Sequence, residues 1–205
     1  VQTCALPIFE TALEKVARVM ARRFNIKVVI RGNMAATDGE TIWLPSLEDI
    51  SEELYRDLDG FLNHEVAHVK YTQFPEIGLC RNAFHRHLLN ALEDSRIEIL
   101  LPQEYRGTAL SLERLNRKWQ ARAEEKRSEL PWSIRLILCI REIFDGRPVK
   151  SDEQIQPLVD AVHSKAIELR SATSSSELRI GTAEMIDIIN KVRELLCKDL
   201  PELTE

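Results

Sequence analysis

Two histidines four residues apart, in His64-Glu65-Val66-Ala67-His68, are the side chains of this chain best suited to chemistry. On a helix, residues four apart project from one face, so the pair predicts a clamp for a single metal ion. Imidazole donors point to zinc. Glu65 lies about 100° around the helix from His64, outside the clamp but within reach of a water held there. A general base belongs in that place, because zinc lowers the pKa of its water and the carboxylate takes the proton as the water attacks a carbonyl. His64 and His68 are therefore expected as ligands and Glu65 as catalytic base. The competing reading is a surface helix with two solvated histidines.

A catalytic zinc site wants a third protein ligand and an open fourth position. The acidic stretch Asn90-Ala91-Leu92-Glu93-Asp94-Ser95-Arg96-Ile97-Glu98 begins about twenty residues after His68, beyond a turn at Pro75–Gly78 that lets a second helix return antiparallel. Glu93 is the expected third ligand and Asp94 the next candidate. Glu98 and Asn90 are expected as partners that orient a ligand. Glu93 and Arg96 also have the spacing of an ordinary i,i+3 ion pair. His85 and His87 stand nearer the loop as further candidates for the third position.

Around these residues the sequence places mostly helices. Phe9–Phe24 repeats apolar residues at helical spacing. Ile26–Ile30 and Glu40–Leu44 read as strands, ended by Gly32 and Pro45, with an Asp38-Gly39 turn signal between them. Asp49 with Glu52 forms a capping-box pattern for the helix that carries the histidines and ends near Phe74. Further helices are expected over about 80–101, 110–129, 131–144, 152–169 and 176–197. The fold expected is mainly α with a small β-sheet: a zincin-like helix pair over residues 9–107, with a helical extension over 108–205 packed on it. Thr41, Ile42 and Trp43 are a candidate edge strand for pairing with an extended peptide.

Composition limits the alternatives. Hydrophobic residues make up 44% and charged residues 30% of the 205 positions, with only 7 Gly and 8 Pro, as in a folded helical protein. The net charge of −5 gives no field for a polyanion, so nucleic acid is not an expected partner. No apolar run approaches the roughly 20 residues needed to cross a bilayer. Cys4, Cys80, Cys139 and Cys197 form no CxxC pair, which fits a reducing, cytoplasmic setting. Val1–Ile8 reads like the translation of a sequencing adapter, and the chain lacks an initiator Met. Residues 1–8 are therefore expected to be non-native and the chain to be a fragment.

With the histidine motif followed by Asn90–Glu98, the sequence resembles the gluzincin-like metallopeptidases, in which the third ligand is a glutamate on the next helix. It is similar, more narrowly, to the peptidase-like N-terminal region of phage and bacterial proteins of the CobT type, described as cobalt chelatases or von Willebrand A proteins. The stretches carrying this likeness are Thr37–Pro45, His64–Thr72, Asn90–Glu98, Leu130–Arg135 and Arg141–Gly146. The resemblance implies a downstream von Willebrand A domain and a partner ATPase of the MoxR type. The Asp-x-Ser-x-Ser signature of such a domain is absent from these residues.

Three functions follow as expectations. The leading one is zinc-dependent hydrolysis of a peptide or protein substrate. The second is a non-catalytic helical scaffold that recruits an ATPase. The third is a chelatase-type subunit handling a cobalt tetrapyrrole.

Overall fold

The computed structural model describes residues 5–46 and 52–203, and the side chains of 11–46 and 57–203. Among the described residues, eight α-helices accompany one small sheet, so the expected class, mainly α with a small β-sheet, holds. None of the described helices is long and apolar enough to cross a membrane. The chain divides into two compact units. The first comprises residues 1–72 and 97–122, and the second comprises 73–96 and 123–205. The expected cut near residue 107 thus falls inside the first unit, because the helix after the histidine motif contributes to both.

In the first unit, α1 (Ala5–Ala21) leads into three strands, β1 (Lys27–Ile30), β2 (Ala36–Thr37) and β3 (Thr41–Leu44). The strand order is β1-β3-β2, with β1 parallel and β2 antiparallel to β3. The turn into β3 follows from its residues: the Asp38 carboxylate accepts from the amides of Glu40 and Thr41 at 2.9 and 2.7 Å. Those amide bonds, Thr41 first, hold the Asp38 carboxyl below its usual range. Gly39 adopts φ 94°, the left-handed region that glycine enters without strain. The third strand was not expected, since two residues carry too little alternation to register as a strand.

The topology corrects one functional expectation. Thr41, Ile42 and Trp43 lie in the middle strand, hydrogen-bonded to β1 on one side and β2 on the other, so they cannot add a substrate strand. Ile42 and Leu44 point into the core, while Trp43 is half-buried.

The histidine-bearing helix is α2 (Glu52–Tyr71); the capping pattern at Asp49 lies outside the described residues. Leu58, Leu62, Val66 and Val69 pack with Ala17, Ile26, Val28, Ile42 and Leu44, joining helix to sheet in one core. Every residue from Leu62 to Val69 is buried, so the histidines do not lie on a solvated surface helix. α5 (Ala109–Glu125) covers part of that helix. A Cβ on Gly60 would stand 3.0 Å from the Ser111 carbonyl oxygen, so only glycine permits this approach. Asn63 donates to Ser111 Oγ at 2.8 Å, and the buried Asp57 pairs with Lys118.

Lys70 follows the histidine motif on α2 as a charge. Its ammonium donates to the Met20 carbonyl at 3.2 Å and pairs with Glu104 at 3.0 Å. A cation that ties α1 to α2 in this way satisfies its own donors.

The second unit is helical. α3 (Phe74–Gly78), the first part of α4 (Ala83–Glu104), α6 (Trp132–Asp145), α7 (Gln156–Glu168) and α8 (Ser175–Leu196) enclose a core that includes Leu88, Leu92, Leu136, Ile140, Leu158, Val162, Met185 and Ile189. Leu88 and Leu92 are fully buried, whereas Ile99, further along α4, is 58% exposed. Arg127 grips the buried Glu142 with two nitrogens at 2.7 and 3.0 Å, and the Lys150 amide bonds the same carboxylate.

Candidate metal centre

On α2, His64, Glu65 and His68 are all buried. The two imidazole rings meet edge to face, with centroids 4.8 Å apart. Each ring has its Nδ1 engaged. His64 Nδ1 lies 3.0 Å from Glu98 Oε1, and His68 Nδ1 lies 3.0 Å from Thr72 Oγ1. A carboxylate only accepts, so His64 carries a proton on Nδ1, and in the neutral ring the lone pair is then on Nε2. Glu98 is steadied in turn, because its Oε2 accepts from Asn116 at 3.1 Å, and Asn116 Oδ1 accepts from Gln120 at 2.9 Å. Trp119 stands edge-on to the His64 ring with centroids 5.2 Å apart. This carboxylate–histidine pairing is the arrangement that fixes tautomer and ring orientation in metal sites.

α4 is unbroken from Ala83 to Glu104, so the turn carrying Asp94 directly precedes the turn carrying Glu98. Asp94, the next candidate for the third position, is buried in the second unit. Two imidazoles and one carboxylate are the donor set of a divalent cation of zinc type, and the buried His64–His68 pair supplies the first two of these donors.

Glu93, expected as the third ligand, has a different occupation. Its Oε2 accepts from Arg96 Nε at 2.9 Å and its Oε1 from Arg96 Nη2 at 2.6 Å. Ser175 Oγ adds a third bond to Oε1 at 2.7 Å. This is the i,i+3 ion pair, buried and reinforced. Glu93 and Asp94 point about 100° apart on one helix, so they meet different partners, Glu93 the Arg96 guanidinium and Ser175, Asp94 the Asn90 amide and Arg141. Asn90, expected as an orienting partner, donates to the two Asp94 oxygens at 3.3 and 3.4 Å. Tyr71 hydrogen-bonds Glu104 at 3.2 Å, and burial first, then that carboxylate, push its phenol up to about 12.

A family model described as Cobalamin biosynthesis protein CobT matches residues 6–196. The chain belongs to the CobT family. No curated protein and no solved structure matches it. The match carries the CobT side of the resemblance and brings no peptidase assignment with it.

The remaining histidine candidates of this CobT-family chain lie in the second unit. His87 is exposed. His85 is 0% exposed: its Nδ1 accepts from the Arg81 amide at 3.1 Å, and its Nε2 faces the Arg179 carbonyl at 3.1 Å and Thr182 Oγ1 at 3.0 Å. Both nitrogens are thus committed within the α3–α4–α8 packing. An amide N–H needs an unprotonated acceptor, so His85 is neutral in the fold.

Burial, the largest influence, lowers the His85 pKa below 6.5; Arg81 and Arg179 push the same way, against the Arg179 carbonyl and Asp187. A depressed histidine leaves the unfolded chain with more bound protons below pH 6.5, so its contribution is whole above that pH and is lost as pH falls. The expected result is a decline in chemical-denaturation stability below that pH, of up to about 1.4 kcal/mol per pH unit from this one group. The His85→Gln variant should show a shallower decline over the same window. An unchanged slope would show that another group governs it.

Proposed function

We propose that the chain is a metal-binding module of a chelatase-type assembly, in which His64 and His68, with a carboxylate of α4 as third ligand, hold one divalent cation of zinc type. The observation that carries this reading is the buried imidazole pair with Nδ1 of each ring already engaged, His64 by a carboxylate that is itself hydrogen-bonded. Membership of the CobT family supports the chelatase-type setting. In that setting the expected partners are an ATPase of the MoxR type and a von Willebrand A domain.

Within the site the residues divide the work. Glu98 holds the proton of His64 at Nδ1, Thr72 orients His68, and burial keeps competing water from the ligand atoms. A bound cation would supply Lewis acidity.

Titrating the purified chain with Zn2+ and with Co2+ tests the proposal. One equivalent of either is expected to bind near neutral pH, with release on acidification as the imidazoles protonate. A chain that takes up neither ion in excess is incompatible with the reading.

A second reading, hydrolysis of a peptide or protein substrate, is favoured by one observation: Glu65 is buried within the same helical turn as the ligand histidines. There it would act as the group that accepts a proton from the attacking water. Glu65→Gln separates the two readings, since it should retain the cation while abolishing any peptide cleavage. Metal uptake by wild-type protein that cleaves no peptide in a diverse mixture leaves the module and removes the peptidase.

A further inference from the structure

The second unit contains a cleft of about 270 Å³ between α3, α4 and α6. Ile77 and Ala91 give it an apolar wall, and the rest of its lining is polar. Arg86 and His87 come from the early turns of α4, and Arg141 comes from α6. Asp94 supplies the cleft's one carboxylate and is already engaged, by the Asn90 amide at 3.3 Å and by Arg141 Nη1 at 3.8 Å. Arg141 is fixed further by donation from its Nε to Ser95 Oγ at 3.1 Å. Among the described residues, no carboxylate pairs with Arg86 or His87.

We propose that this cleft binds a small oxyanion, a carboxylate or phosphate group, through Arg86 and His87, with Arg141 at its inner side. Arg141 is balanced by Asp94 and Asp145 at 3.8 and 3.9 Å, which leaves Arg86 as the positive charge at the cleft mouth before any charge on His87. Guanidinium forks match the planar or tetrahedral oxygen sets of these anions, and the charge-assisted bonds they form are stronger than neutral ones. The cleft is too small for a drug-sized ligand, which takes roughly 300–1,000 Å³, and suits one anionic group projecting from a larger molecule. The side chains come from two helices packed in one core, which fixes the backbone positions of Arg86 and Arg141.

The test uses the full chain in buffer freed of divalent metal on a chelating resin, so its outcome does not depend on the cation reading. Succinate and inorganic phosphate are titrated separately while the ring signal of His87 is followed by NMR, with chloride at matched ionic strength as control. A saturable shift is expected with at least one of the two anions and none with chloride. Saturation by succinate alone identifies a carboxylate ligand, and by phosphate alone a phosphorylated one. Arg86 is exposed, so Arg86→Gln should fold as the wild type and weaken binding by about fivefold, the loss of one partly solvated ion pair. Arg122→Gln, on the exposed face of α5, should leave it unchanged. Shifts that stay linear with both anions, or equal affinity in Arg86→Gln, overturn the proposal.

Discussion

Replacing His64 by alanine is expected to weaken Zn2+ or Co2+ binding by several hundredfold. Structural zinc sites with four ligands bind with an apparent 10–16 kcal/mol, so each ligand contributes roughly 3–4 kcal/mol, on the order of several hundredfold in affinity. The Glu98→Gln variant gives a graded counterpart. The amide can still meet His64 Nδ1 but accepts more weakly, and loss of such an orienting carboxylate typically costs about 10–100-fold. The order His64→Ala, then Glu98→Gln, then wild type, measured by competition with a chromophoric chelator, is what the pairing at 3.0 Å requires. Equal affinity in Glu98→Gln and wild type would show that the contact does not tune the ligand.

The second large effect concerns stability. Arg96→Met removes the guanidinium that grips Glu93 through two bonds and also bonds the Thr173 carbonyl at 3.3 Å. Glu93 is 2% exposed, so its charge would remain buried without its cation. Breaking one side of a buried pair costs about 3–5 kcal/mol, whereas removing both partners together costs far less. Urea denaturation of Arg96→Met should therefore show a large fall in midpoint, and Arg96→Met combined with Glu93→Gln should recover much of it. The same experiment bears on the ligand question, since Glu93→Gln is expected to keep its metal. Should Glu93→Gln lose the metal while Arg96→Met stays stable, Glu93 and not Asp94 would be the third ligand.

Much of the site was legible in the residues. The spacing of His64 and His68, with Glu65 between them, needs only helical periodicity to place two imidazoles on one face, and local turn chemistry places the helix breaks. The helices over α4 to α8 follow from apolar spacing in the same way. Neighbouring acidic residues were harder to separate. Glu93 and Asp94 differ by one position on α4, and nothing in their immediate sequence says which will meet Arg96 and Ser175. That choice depends on a serine more than eighty positions away. The cover that α5 lays on α2 was hidden for a related reason: Asn63 and Gly60 mark a surface for α5, but as single residues they carry no periodic signal.

The sequence by itself determined the helical class, the paired histidines and the acidic stretch that faces the same chemistry, because these rest on interactions within one or two turns of chain. Tertiary structure alone decided that β3 lies between two strands and cannot accept a third, that Glu98 rather than Asn90 orients His64, and that Glu93 is held in an ion pair. Strand order and buried charge pairing are set by contacts between segments far apart in the chain, where burial makes each hydrogen bond and each charge costly to leave unmatched.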